Sequence, residues 1–174
     1  SQGSAADRVV LNVRVKDKST GAFSFGAGYS TSSGIVGSIS LSESNFLGRG
    51  QFLRLSTSLG AKERDFEFQF VEPYFLGRRI QAGVTAYNRN QENNSFRPYD
   101  SISQGGGVSF GLPLTRDLSA QVFYDFDSTT VSNTTQPNLY QNGRIVTSVL
   151  GAGLTYNTLD SIRSPRDGIY ANVR

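Results

Sequence analysis

The 174-residue chain has no cysteine and no histidine. Without cysteine it has neither a disulfide framework nor a thiolate metal site, and without histidine it lacks the commonest general base and metal ligand. These absences argue against enzymatic chemistry, so no cofactor and no metal are expected. No run of ~18 apolar residues occurs, so no helix is expected to span a bilayer. No helical periodicity of any strength is present to cover an oily sheet face. Charge of one sign is also scarce, at a formal +3 with a pI near 9.3. Lysine and arginine are scattered among turns and short mixed-sign clusters such as Lys62–Asp65, which excludes a nucleic-acid groove.

What the chain has in quantity is alternation. In Ala22–Tyr29, AFSFGAGY, Phe23, Phe25, Ala27 and Tyr29 are apolar while Ala22, Ser24, Gly26 and Gly28 are small or polar. This period of two marks a strand with unlike faces. Only 37% of residues are hydrophobic and the mean hydropathy is −0.32. Those averages suit a soluble protein, but a two-faced sheet cancels itself in any average, and membrane barrels escape hydropathy scans for that reason.

The same pattern recurs in order. Ser1–Asp7 is a polar lead-in without the features of a secretion signal, so a signal is expected upstream if the protein is exported. Arg8–Lys16 alternates, and Asp17–Gly21 breaks it. After the opening strand and a turn at Thr31–Gly34, Ile35, Gly37, Ile39 and Leu41 share a face. Asn45–Gln51 is a turn, Phe52–Gly60 a third strand, and Ala61–Asp65 a charged turn. Phe66, Phe68 and Phe70 then stand together against Glu67 and Gln69, three rings that want a large apolar medium. Glu72–Arg79 is an aromatic-rich turn before a fifth strand marked by Ile80, Ala82, Val84 and Ala86.

Asn88–Ser103 reads as a long polar loop, followed by a sixth strand (Val108, Phe110, Leu112) and a turn at Pro113–Asp117. The seventh strand sets Leu118, Ala120, Val122, Tyr124 and Phe126 against Ser119, Gln121, Asp125 and Asp127. Ser128–Gly143 reads as a second long polar loop, Ile145–Tyr156 as an eighth strand, Asn157–Gly168 as a turn region and Ile169–Arg174 as the start of a ninth.

Strands of this length cross a bilayer when tilted, for which about nine to eleven residues are needed. Compact turns on one side and long loops on the other match the layout of outer-membrane barrels. The expected fold is therefore all-β, an antiparallel up-and-down transmembrane β-barrel segment. A soluble sandwich or small ligand-binding barrel shows similar periodicity, but here the apolar face is wide and uniform, with Phe46, Tyr74, Phe75, Tyr124 and Tyr156 near turn ends as candidate membrane-interface aromatics. Arg54, Glu67, Asp125 and Asp127 are expected to face a water-filled lumen as solvating or structural groups. Asp125 and Asp127 have the spacing of a carboxylate pair, and nothing else supports hydrolysis.

The run TGAFSFGAGYSTSSGIVGSISLSESNFLGRGQ at Thr20–Gln51, followed by EPYFLGRR at Glu72–Arg79, resembles the BamA family of outer-membrane assembly factors. YNTLDSIRSPRDG at Tyr156–Gly168 also resembles a turn inside that family's barrel. The resemblance implies that residues 1–18 close the last periplasmic POTRA domain and that 19–174 form the N-terminal part of a barrel of about sixteen strands. It implies a Gram-negative outer-membrane location with the N-terminal end in the periplasm. Its implied partners are the outer-membrane bilayer, nascent β-barrel proteins and accessory assembly lipoproteins.

The family's Arg-Gly-Phe lumen motif is absent and the ninth strand is unfinished, so this is expected to be the first half of the barrel. Within it, Phe23, Ser24, Phe25, Gly26, Ala27, Gly28 and Tyr29 are implied to form the lateral-gate strand that pairs with client strands. Gly26 and Gly28 suit either a weak seam or relief of crowding. Gly37, Gly107, Gly151 and Gly153 are read as relief of crowding. A POTRA-barrel relative of the TamA or two-partner secretion type, and a plain porin-like barrel, remain the alternatives.

Overall fold

The computed structural model describes residues 13–14, 18–161 and 163–174. The strand expected at Arg8–Lys16 therefore lies outside the described residues for the most part. The rest is one antiparallel meander of nine strands, each paired with its neighbours in sequence. They are β1 (Gly21–Ser30), β2 (Gly34–Phe46), β3 (Gln51–Gly60), β4 (Glu63–Glu72), β5 (Gln81–Gln91), β6 (Asp100–Pro113), β7 (Leu118–Ser132), β8 (Gly143–Asn157) and β9 (Tyr170–Val173). Among the described residues no helix is long and apolar enough to cross a membrane.

The register explains the alternation. Phe23, Leu41, Leu55 and Phe68 stand in one row across β1 to β4, and Phe70, Val84, Val108, Tyr124 and Leu150 form another across β4 to β8. Because side chains alternate across a strand, every residue in such a row lies on the same face. The opposite face carries Ser24, Ser40, Ser56, Glu67, Tyr87, Gly105, Asp127 and Thr147 in a single row from β1 to β8. Arg54 and Asp125 occupy the adjacent row on that polar face. No hydrophobic side chain is buried among the described residues. One sheet with nothing packed on its apolar face has no interior of its own, so its stability requires an external apolar medium.

Two loop readings need correction. The polar stretches 88–103 and 128–143 are loop only in their middles, and their ends are strand: β5 runs to Gln91 and β6 starts at Asp100, while β7 runs to Ser132 and β8 starts at Gly143. Backbone pairing does not require apolar side chains, and polar ones reinforce it here. The Ser103 and Thr129 hydroxyls meet at 2.7 Å and Arg144 Nε donates to Ser128 Oγ at 2.8 Å. The true connections are 92–99 and 133–142, and they dock on each other through Tyr99 stacked with Tyr140 at 5.0 Å and Thr135 N donating to Pro98 O at 2.8 Å. With the loops so shortened, neither end of the sheet has uniformly shorter connections. Residues 47–50, 73–80, 114–117 and 158–169 lie at one end, and 31–33, 61–62, 92–99 and 133–142 at the other.

On the polar face, aromatic rings lie across glycines. Tyr87 of β5 crosses Gly105 of β6, where an added Cβ would overlap the ring, and its hydroxyl donates to Asp127 Oδ2 of β7 at 2.7 Å. Asp127 also accepts from Thr129 Oγ1 at 2.8 Å. On the other side, Arg89 stacks 4.5 Å from the Tyr87 ring centroid and reaches Glu67 at 3.9 Å. Phe123 likewise covers Gly151, with the Arg174 guanidinium 4.1 Å above its centroid. The Asp125 carboxylate sits over Gly107, and a Cβ at Gly153 would meet Val173 O at 3.1 Å. Relief of crowding therefore holds at 107, 151 and 153 but not at Gly37, whose nearest neighbour would be 3.9 Å away.

Two outcomes follow for equilibrium unfolding of the membrane-inserted protein. Gly151→Val forces the Phe123 ring aside and costs about 1–3 kcal/mol, whereas Gly37→Val is tolerated. Tyr87→Phe removes a hydrogen bond to a carboxylate and costs about 1–2 kcal/mol. A third concerns the β8–β9 turn, where the backbone N–H groups of Arg166 and Asp167 donate to Asp160 Oδ1 at 2.9 and 3.3 Å. These bonds hold the Asp160 carboxyl below its usual range. The order they give is complete above the ordinary aspartate pKa of about 3.9 and is lost as the pH falls through the lower folded value. Amide protection at 166–168, corrected for intrinsic exchange, falls on that acid side, and Asp160→Asn removes that pH dependence of the protection.

Candidate functional site

β1 is the edge of the sheet. It is paired with β2 from Gly21↔Glu43 to Ser30↔Gly34, and its other side has no strand among the described residues. Alternate residues of an antiparallel strand direct N–H and C=O away from their partner. The free side of β1 is therefore a row of unmet donors and acceptors. Phe23, Phe25 and Tyr29 are 67%, 83% and 77% exposed on one face, with Ala27 between them in the alternation. The ends of β1 are tied down. Ser44 donates through its N–H (3.3 Å) and its hydroxyl (3.2 Å) to Thr20 O, the Thr20 hydroxyl donates to Glu43, and Ser30 Oγ meets Ser32 Oγ at 2.8 Å. Between these anchors, no side-chain hydrogen bond from Phe23 to Tyr29 is present among the described residues.

The glycines of β1 differ from those inside the sheet. A Cβ at Gly28 would meet nothing within 4 Å, and at Gly26 only the mobile end of the Ser38 side chain at 3.0 Å. Neither has a positive φ. Crowding does not account for Gly28, and hardly for Gly26. What remains is their effect on strand stability, a loss of about 0.5–1 kcal/mol each relative to alanine.

The turns at the end of the sheet where β1 begins contain a feature that alternation does not reveal. Asn45–Arg49 and Tyr74–Arg78 have one backbone geometry. Gly48 N donates to Asn45 O and Arg49 N to Phe46 O, matched by Gly77 N to Tyr74 O and Arg78 N to Phe75 O, all at 3.0–3.2 Å. Leu47 and Gly48 have φ of 56° and 70°, Leu76 and Gly77 of 55° and 71°. Both central positions of such a turn need positive φ, so Asn, Asp or Gly is preferred at the first. Leucine there costs about 1–2 kcal/mol. Burial does not offset that cost, since Leu47 is 73% and Leu76 82% exposed. The signal was available in the repeat FLGR at 46–49 and 75–78.

The aromatics expected at the membrane interface are divided by the structure. Phe46 closes β2, Tyr74 and Phe75 begin the 73–80 turn, and Tyr156 lies one residue from the end of β8. Phe75 stacks on Phe110 of the apolar face with centroids 5.7 Å apart. Tyr124 is a correction. It is in mid-strand, the seventh of the 15 residues of β7, and its hydroxyl donates to Ser148 Oγ at 3.2 Å. A tyrosine at that depth satisfies its hydroxyl on the neighbouring strand rather than at a turn. No group of three or more acidic residues is placed to hold a metal among the described residues. Asp125 and Asp127 are both engaged, over Gly107 and with Tyr87 respectively.

Residues 45–174 match the model of the Omp85 superfamily domain. The chain is 26% identical over 164 residues to the outer membrane protein assembly factor BamA of Neorickettsia risticii, covering 92% of this chain and 22% of that protein. It is 27% identical over 172 residues to BamA of Nitratidesulfovibrio vulgaris, covering 93% and 21%. Neisseria meningitidis BamA is 26% identical over 113 residues, covering 63% and 14%. The chain thus spans about a fifth or less of these relatives. Its fold is similar to that of Haemophilus ducreyi BamA lacking POTRA domains 1–3, with a TM-score of 0.61 at 24% identity over 90% of this chain and 34% of that one. Register, uncovered apolar face, open edge and family match agree: the chain is a segment of a BamA-like barrel and belongs to the Omp85 superfamily.

Proposed function

We propose that this chain is the first part of the barrel of an assembly factor that folds β-barrel proteins into the Gram-negative outer membrane, and that β1 is the strand on which clients pair. The observation that carries the proposal is the free edge of β1 together with glycines that answer no steric or conformational demand. An exposed edge is a template for another strand. Inside a bilayer each unmet backbone group costs several kcal/mol, so β1 has to be paired at all times, with its own barrel's last strand or with a client. Gly26 and Gly28 weaken whichever pairing forms, so that one strand can replace another.

In this reading Phe23, Ser24, Phe25, Gly26, Ala27, Gly28 and Tyr29 supply the pairing edge. Strand exchange consists of hydrogen bonds swapped one for one, and it needs no catalytic group or cofactor. Phe46, Tyr74, Phe75 and Tyr156 anchor the membrane interface. Residues 1–18 close a periplasmic POTRA domain, which places the turns at 47–50, 73–80, 114–117 and 158–169 on the periplasmic side. Accessory lipoproteins and nascent barrel proteins are the partners, and the outer membrane is the location. The resemblance to BamA proteins and the shared sheet support each of these assignments.

Disulfide trapping in the full-length protein tests the proposal. Single cysteines from Phe23 to Tyr29, opposed to a cysteine in the terminal strand of a client, are expected to crosslink in a ladder that follows strand register. Absence of any crosslink while the protein remains in the membrane would favour a pore or an exporter. Gly28→Val enters open space, strengthens the strand and is expected to slow client release several-fold in a reconstituted folding assay, with no loss of barrel stability.

A further inference from the structure

The strained leucine turns have a third counterpart. Three successive turns at one end of the sheet each contain Leu-x-Arg: Leu47-Gly48-Arg49, Leu76-Gly77-Arg78 and Leu114-Thr115-Arg116. No connection at the other end contains it. The leucines are 73%, 82% and 55% exposed, and the three arginines are exposed as well. Among the described residues the one ion pair within 4 Å is Arg89 with Glu67; Arg49 has the Glu72 carboxylate in its neighbourhood, and Arg78 and Arg116 form no ion pair. The β2–β3, β4–β5 and β6–β7 turns recur at every second strand, about 10 Å apart. The 73–80 turn is folded against the apolar face by the Phe75–Phe110 contact, so its leucine and arginine sit where that face ends.

We propose that these three turns form a docking surface for anionic phospholipid, each leucine entering the acyl boundary and each arginine binding a headgroup phosphate. The inference rests on the barrel lying in a membrane, and adds a lipid preference that the assembly reading does not require. Two arguments select lipid over a protein partner. Leu47 and Leu76 are held in a backbone conformation that disfavours them and remain largely exposed, so burial within the chain does not account for them. The 73–80 turn also borders the apolar face through Phe75, and each leucine has its own cation two residues on, the pairing of an apolar wedge with a phosphate ligand that membrane-surface segments use. Asparagine suits the strained position better than leucine, so Leu47→Asn and Leu76→Asn remove the wedge while favouring the turn.

The test uses the full-length protein in phosphatidylcholine nanodiscs with and without phosphatidylglycerol. A diazirine leucine analogue at position 76 is expected to give phospholipid adducts on illumination. Lipid retained after detergent extraction is expected to be enriched in phosphatidylglycerol, with enrichment falling by about fivefold for each of Arg49→Gln, Arg78→Gln and Arg116→Gln. Leu76→Asn is expected to keep or raise thermal stability while losing the enrichment. Peptide adducts would overturn the proposal in favour of a protein partner, and adducts with water alone would leave the leucine without an apolar occupant. Enrichment unchanged by the arginine variants, or competed away by inorganic phosphate, would also overturn it. Entry into nanodiscs without lipid preference would refute the docking surface alone, whereas failure to enter them would refute the barrel reading beneath it.

Discussion

A β-sheet has to lay its apolar face against something, and this sheet offers nothing of its own. Its nine strands run as a plain meander, so among the described residues no strand returns to form a second layer. The register then collects Phe23, Leu41, Leu55 and Phe68, and Phe70, Val84, Val108, Tyr124 and Leu150, on one side. A water-soluble sandwich would cover those rings with another sheet, as inner faces are covered in such folds. No hydrophobic side chain is buried among the described residues, as suits a segment of an outer-membrane barrel whose apolar face meets lipid.

The polar face solves the opposite problem, holding strands together where no hydrophobic packing is available. Tyr87 lies across Gly105 to reach Asp127, and Phe123 lies across Gly151 beneath Arg174. Each ring ties strands to one another because the residue under it lacks a side chain. β1 has nothing of this kind. Gly26 and Gly28 lie under a serine hydroxyl and open space, and the side chains between the two anchored ends make no hydrogen bond among the described residues. The sheet is thus cross-braced from β4 to β8 and left loose at its first edge, the edge proposed to exchange strands.

Most of the fold was legible in the sequence because alternation is a local signal that the register preserves. The triplet Phe66, Phe68 and Phe70 and the run from Leu118 to Phe126 place their strands without help. The polar ends of β5, β6 and β7 were not legible. Asn88, Arg89, Gln104, Ser128 and Thr129 carry no apolar alternation, and only the ladder shows that they are strand. The candidate edge was legible through its resemblance to a family, while its looseness rests on what surrounds Gly26 and Gly28 in space. The glycine run at 105–107 hinted that something lies across it, but not that Tyr87 from the neighbouring strand reaches over to a third. The strained leucines were visible as a repeat, yet their cost appears only with the backbone angles.

The central claim is that one face of this sheet meets lipid and the other meets water. The chain has no cysteine of its own, so single cysteines along β4 in the membrane-inserted protein can be labelled without background. The account predicts a period of two. Positions 66, 68 and 70 react with a lipid-phase maleimide and are protected from a charged one, and positions 67, 69 and 71 behave in the opposite way. Uniform reactivity with the charged reagent at all six positions would contradict it, since both faces of the sheet would then meet water.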